Sequence, residues 1–171
     1  MALIVEDGTG VAGANTYASI TTVDAYHLAR GNTSWTGTDA AKESAILRAM
    51  GYIEGLAWQG EPLNGPVGAS GYQPLQWPRY GVAPGGLSWP AGEIHPGVIN
   101  ALCEAALVEL SMSGALAPEL ERGGLVVSEK VDVIETVFAS GAPAGTVYRA
   151  VSQHLRGLLR GGGCAVDMVR G

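Results

Sequence analysis

Pro96-Gly97-Val98-Ile99-Asn100-Ala101-Leu102-Cys103-Glu104-Ala105-Ala106-Leu107-Val108-Glu109-Leu110 is the stretch that decides the fold class. Proline is tolerated at the first turn of a helix, where its missing N–H has no partner to lose. Val98, Ile99, Leu102, Cys103, Ala106, Leu107 and Leu110 then recur at helical spacing on one broad face, with Asn100, Glu104 and Glu109 off it. Gly114 and Pro118 mark the end of this helix. Each fully buried Leu, Ile or Val contributes roughly 1.5–3 kcal/mol, so this helix is expected at the centre of the core.

Working outward, Thr38 caps a second helix over 39–54, with Ala41, Ala45, Ile46, Ala49, Met50 and Ile53 on one face. Upstream, Thr21 with Asp24 as a reciprocal cap predicts a helix over 22–29, after a strand-like Leu3 to Val5 and a turn-rich run to Tyr17. Downstream, Leu125-Val126-Val127 and Val131 to Phe138 are rich in β-branched residues and predict one or two short strands. A last helix is predicted over 146–159, with Val147, Val151, Leu155, Leu158 and Leu159 on its apolar face. Between Trp58 and Gly92 prolines and glycines recur every few residues, among them Pro62, Pro66, Pro74, Pro78, Pro84 and Pro90, so no single regular element fits there. The expectation is a mainly α fold, a small helical bundle of about four helices with a short β element and long Gly/Pro-rich loops. Residues 1–160 form the domain, including a long contact loop over 58–93, and 161–171 form a Gly-rich tail.

The chain has 171 residues, enough for one self-sufficient core. With 47% hydrophobic and 15% charged residues and a mean hydropathy of +0.18, it is too apolar for disorder. A formal net charge of −6 argues against a surface that tracks phosphates, because that affinity comes from Lys and Arg releasing counterions. Cys103 and Cys164 form no C-x-x-C pair, so neither a disulfide framework nor a zinc site is indicated. The N-terminus lacks the basic start of a signal peptide, and no apolar run approaches the roughly 20 residues a membrane helix needs.

Residues with catalytic potential are few. Gly8-Thr9-Gly10-Val11-Ala12-Gly13 matches G-x-G-x-x-G, but a dinucleotide fingerprint runs straight into a helix, and here Asn15-Thr16-Tyr17 and a further cap intervene. The match is read as a flexible turn. His27, His95 and His154 are scattered, with His27 and His154 expected as partly exposed surface residues and His95 as a helix-start residue. Cys103 lies on the apolar stripe and is expected to be a buried structural thiol. Glu6-Asp7 and Glu119/Glu121 fall in predicted loops without metal-ligand spacing. No enzyme and no cofactor is expected. Four tryptophans and six tyrosines are potential base-stacking platforms, yet only Trp77-Pro78-Arg79-Tyr80 interleaves them with a basic residue. They are expected to anchor the loop to the core or to a neighbouring subunit.

Ile4-Val5-Glu6-Asp7-Gly8-Thr9-Gly10, Ala14-Asn15-Thr16-Tyr17 and Asp24-Ala25-Tyr26-His27 leading to Arg30-Gly31-Asn32 resemble the opening of one phage and prophage family. Leu75-Gln76-Trp77-Pro78-Arg79, Ile94-His95-Pro96 and Gly141-Ala142-Pro143-Ala144-Gly145-Thr146-Val147-Tyr148 are similar to it in order and spacing, so the likeness extends to about Leu159. That family carries the label of DnaT-like single-stranded-DNA-binding proteins, yet it resembles the head-completion adaptors of tailed phages. The adaptor likeness implies a structural virion protein of the phage neck, assembled in the host cytoplasm. It implies a dodecameric ring of this chain below the portal protein, a C-terminal segment gripping the portal, and a lower face receiving a downstream neck or tail protein, the stopper or tail terminator. Double-stranded genome DNA would pass through the channel without sequence-specific binding, and no membrane is involved. The alternative is a DnaT-like single-stranded-DNA-binding replication accessory. The family supplies no catalytic residue, and the candidate interface residues are Trp77, Arg79 and Tyr80 in the loop with Leu155, Leu158, Leu159, Cys164, Val166 and Met168 toward the C-terminus.

Overall fold

A computed structural model describes residues 2–68, 72–117, 128–131, 134–137 and 148–160. Its elements run α1 (Ile20–Ala29), α2 (Asp39–Glu54), β1 (Glu61–Pro62), β2 (Arg79–Tyr80), a 3-10 turn at Pro84–Gly86, α3 (Pro96–Ser111), β3 (Ser128–Val131), β4 (Ile134–Val137) and α4 (Arg149–His154). The fold is small and mainly α.

Local chemistry accounts for the helix starts. Thr38 accepts the Ala41 N–H and caps α2 where the sequence places it. Pro96 opens α3, and the His95 ring accepts the Gly97 N–H as its cap. For α1 the cap is Ser19, which accepts from Thr22, and the helix begins at Ile20, before the predicted Thr21 cap. Asp24 does not fold back onto that turn; it accepts from the Trp35 indole at 2.6 Å and from Lys42 Nζ at 2.8 Å, tying α1 to α2.

α3 forms the centre of the helical layer, packed against α2, α4 and α1. Its buried positions are Val98, Ala101, Leu102, Cys103, Ala105 and Ala106, a wider arc than the expected face, and Glu109 is buried as well. Ile99, Leu107 and Leu110 are half-buried. α2 contributes Ala45, Ile46, Ala49, Met50 and Ile53, while Ala41 in its first turn is exposed. A Cβ at Gly97 would lie 2.4 Å from the His154 carbonyl oxygen, so the absence of a side chain there lets the end of α4 approach the start of α3.

The last helix is shorter than its pattern. α4 spans six residues, and beyond it Gly157 takes a φ of 78° that a helix does not allow. The chain then returns to the end of α2, with Gln59 N–H donating to Leu158 O, Arg160 N–H to Ala57 O, and an antiparallel bridge between Trp58 and Leu159. Leu155 and Leu158 reach the core from this segment.

β1 and β2 pair antiparallel, Glu61 opposite Tyr80 and Pro62 opposite Arg79. β3 and β4 form a second antiparallel pair, Ser128 opposite Val137 and Val131 opposite Ile134. The predicted Leu125 to Val127 strand and the 161–171 tail lie outside the described residues, and Leu3 to Val5 reduces to one parallel bridge from Val5 to Thr16. Among the described residues no helix is long and apolar enough to cross a membrane.

Candidate functional site

The Trp-Pro-Arg segment of the long loop is seated on the helical core by a polar network. Trp77 is 0% exposed, and its ring meets Trp58 edge-on with centroids 5.7 Å apart. Among the described residues its Nε1 finds no acceptor, so the indole contributes as an apolar body. Its backbone N–H donates to Tyr17 Oη at 3.1 Å, Tyr17 donates to Glu54 Oε1, and Glu54 Oε2 accepts the Gln76 N–H at 2.7 Å. Burial raises the Glu54 carboxyl above its usual pKa, opposed by the Tyr17 and Gln76 hydrogen bonds and by Arg79, and burial with the nearby Glu54 charge raises Tyr17 well above the phenol range. Gln73 holds the same turn, its amide donating to Leu75 O and Pro78 O and its oxygen accepting the Asn64 N–H.

Arg79 is buried and serves as a clamp. Nε donates to Gln59 O at 2.7 Å, Nη1 to Gln76 O and Oε1, and Nη2 to Gly60 O at 2.7 Å. Four bonds to neutral acceptors occupy four of its five N–H donors, leaving too few for the two-pronged recognition of a phosphate or carboxylate. Beside it lies an open cleft of about 580 Å³, lined by Glu61, Pro62, Gly65, Pro66, Gln76, Arg79 and Tyr80 among others.

The interface candidates thus separate. Trp77, Arg79, Leu155 and Leu158 are interior to this subunit, and of the two anchoring roles expected for the loop aromatics Trp77 takes the one on the chain's own core. Leu159 is half-buried, and Tyr80, 50% exposed, is the candidate that remains outward. Cys164, Val166 and Met168 lie outside the described residues.

The glycine-rich opening is an ordered turn built on a buried residue. Glu6 accepts the N–H groups of Gly8, Gly10 and Val11 at 2.9, 2.8 and 2.8 Å, so the donors that would face an anion are filled by the chain's own carboxylate. The fixed turn replaces the flexible one expected, and a Cβ on Gly8 would fall 2.0 Å from Gly92 O. The structure also moves His27 inward. It is 1% exposed, bonded to Cys103 O at 3.1 Å and facing Asn32 Nδ2 at 3.0 Å. Its place between Tyr26 and Trp35, with ring centroids at 5.2 and 4.9 Å, explains the burial that flanking sequence hid. His154 is half-buried, with Nε2 3.1 Å from Tyr26 Oη, which donates to Glu104 at 2.7 Å. Burial pushes the Cys103 thiol up to about 12, as expected of a structural thiol. Among the described residues no group of three or more His, Cys, Asp or Glu could hold a metal ion.

Cationic side chains are mostly engaged within the subunit. Lys42 pairs with Asp24, Arg48 with Glu109, and Arg160 with Glu61, each at 2.8 Å. Arg30 lies 3.5 Å over the Tyr26 ring, and Arg79 is clamped as above. Of the seven basic side chains described, only Arg149 and Arg156 lack such a partner. The aromatics are similarly committed: Trp35, Trp58 and Trp77 are buried, Trp89 is half-buried with Nε1 on Glu93 O, and among the described residues the exposed rings are Tyr72 and Tyr80.

No curated protein and no solved structure matches the chain. Its whole length, residues 1–171, matches the family described as "Putative DnaT-like ssDNA binding protein". The chain belongs to that family.

Proposed function

We propose that this chain is a structural adaptor of the tailed-phage neck, a subunit of a ring that joins the portal to the tail and lets genome DNA pass. The observation that supports it best is that the tryptophans are buried or half-buried within the subunit and that five of the seven basic side chains described have a partner inside it. A strand-gripping protein needs a basic groove and stacked, accessible rings. Here three of the seven described cations are ion-paired within the subunit and two more are held by a ring or by carbonyls, the net charge is −6, and the described tryptophans are buried or half-buried. An acidic wall suits a conduit that DNA must slide past, and a repeated heterologous contact suits an apolar composition in a small subunit.

The family's printed name favours a second reading, binding of single-stranded DNA. Mass spectrometry of gradient-purified virions, quantifying this chain against the portal protein, separates the two. Copy number comparable to the portal is the expected result; abundance in infected cells with absence from particles would sink the adaptor reading. Fluorescence anisotropy of labelled single-stranded DNA is the companion measurement. A salt-dependent rise in anisotropy at micromolar protein would favour that second reading.

A further inference from the structure

We propose that Arg149 on α4 and Arg156 in the turn after it form the cationic side of a contact with a second copy of this chain, whose exposed carboxylates form the other side. The inference rests on the ring reading above and names the contact that would build the ring.

α4 is amphipathic in a specific way. Val151, Leu155 and Leu158 are buried, which fixes the segment on the core, while Arg149, Ser152, Gln153 and Arg156 are exposed. Arg149, Ser152 and Gln153 lie three and four apart on one face of α4, and Arg156 follows immediately after the last helical residue and its cap. Both guanidinium groups therefore stand on a held surface, unlike Lys42, Arg48 and Arg160, which have carboxylate partners in the subunit. Arginine on a fixed face is favoured at protein interfaces, since its planar fork is pre-organised for carboxylates.

The chain itself carries the complementary charge. It has 16 acidic against 10 basic residues, and exposed Asp39 in the first turn of α2 and exposed Glu93 before α3 make no ion pair among the described residues. α4 packs on α3 and, among the described elements, makes no contact with α2. A contact between Arg149 and Asp39 is thus the kind expected between copies, since the two elements that carry them do not pack together within one. Such a contact joins two different patches, which is the heterologous geometry that closes into rings. A pair of fixed charges is enough to set register and rate in a protein contact.

The test uses full-length Arg149→Lys/Arg156→Lys, which keeps both charges and supplies amines. Unlabelled and heavy-isotope-labelled protein are mixed and treated with a zero-length carbodiimide, then digested for peptide mass spectrometry. Mixed-isotope cross-links from position 149 or 156 to Asp39, Glu93 or another carboxylate are expected. Cross-links within one isotope only, or none, would overturn the proposal. A second variant, Arg149→Glu/Arg156→Glu, should keep its far-ultraviolet circular dichroism and weaken self-association by about tenfold or more in sedimentation equilibrium. Unchanged association there would equally overturn it. Intermolecular cross-links from a chain that is absent from virions would leave this contact standing and remove the adaptor reading; a chain present in virions without them would do the reverse.

Discussion

Burial holds the His27 imidazole below its usual pKa of 6.5, and its two hydrogen bonds agree with the neutral form. Nε2 donates to Cys103 O, while Nδ1 faces the Asn32 amide and accepts from it. A folded-state pKa lowered in this way gives stability that is complete above about 6.5 and lost progressively as pH falls toward the folded value, because the unfolded chain takes up the proton first. Melting temperature should therefore drop between about pH 7.5 and about pH 5.5, and His27→Gln should reduce that drop; an identical slope in the variant would show that His27 is not responsible. Burial lowers His95 in the same direction, so part of the slope should remain. Glu109 carries a related lesson. It is 2% exposed, and although desolvation raises its pKa, the N–H groups of Gly114 and Leu116 and the Arg48 guanidinium outweigh that and hold it below 4.5. Its helical position lies off the predicted apolar face, so periodicity marks it as solvated. The residues that bury it come from the turn after α3, which the heptad-scale pattern does not encode.

At the scale of elements, capping is where sequence reading and structure part. Thr38 and His95–Pro96 were legible because each precedes an uninterrupted apolar repeat. The start of α1 offers Ser19, Thr21 and Thr22 within a few residues, and only the backbone selects Ser19, whose ψ of 163° is extended. Ser19→Ala should cost about 1 kcal/mol in urea denaturation, and Thr21→Ala, at an exposed position inside the helix, should stay within roughly 0.5 kcal/mol. Equal losses would return the cap to Thr21. The last helix ends before its pattern does for a comparable reason: Val151, Leu155 and Leu158 keep helical spacing, but Leu155 and Leu158 reach the same core from turns around Gly157.

For the whole molecule, the long loop is part of the core. Trp77, the Tyr17–Glu54 pair and the Arg79 clamp join the loop to α2, and residues 158–160 close over the junction. Trp77→Ala should then destabilise the fold by about 3–5 kcal/mol in denaturant titration, as expected for truncating a fully buried large aromatic. Tyr80→Ala, at an exposed ring, should leave stability within roughly 0.5 kcal/mol. If Trp77→Ala melted like the parent while only particle assembly failed, the indole would belong to an interface and not to this core.

The mainly α class, the position of α2 and α3, the buried Cys103 and the irregular loop with its Trp-Pro-Arg centre are legible in the chain, because each follows from local periodicity, propensity and backbone restriction. Only the tertiary structure decided which polar groups are interior. Glu6, His27, Arg79 and Glu109 are charged or titratable residues whose partners are backbone groups or side chains brought to them by turns and by neighbouring elements. A residue's polarity is written in the chain, but its desolvation and the hydrogen bonds that offset it depend on what folding places around it.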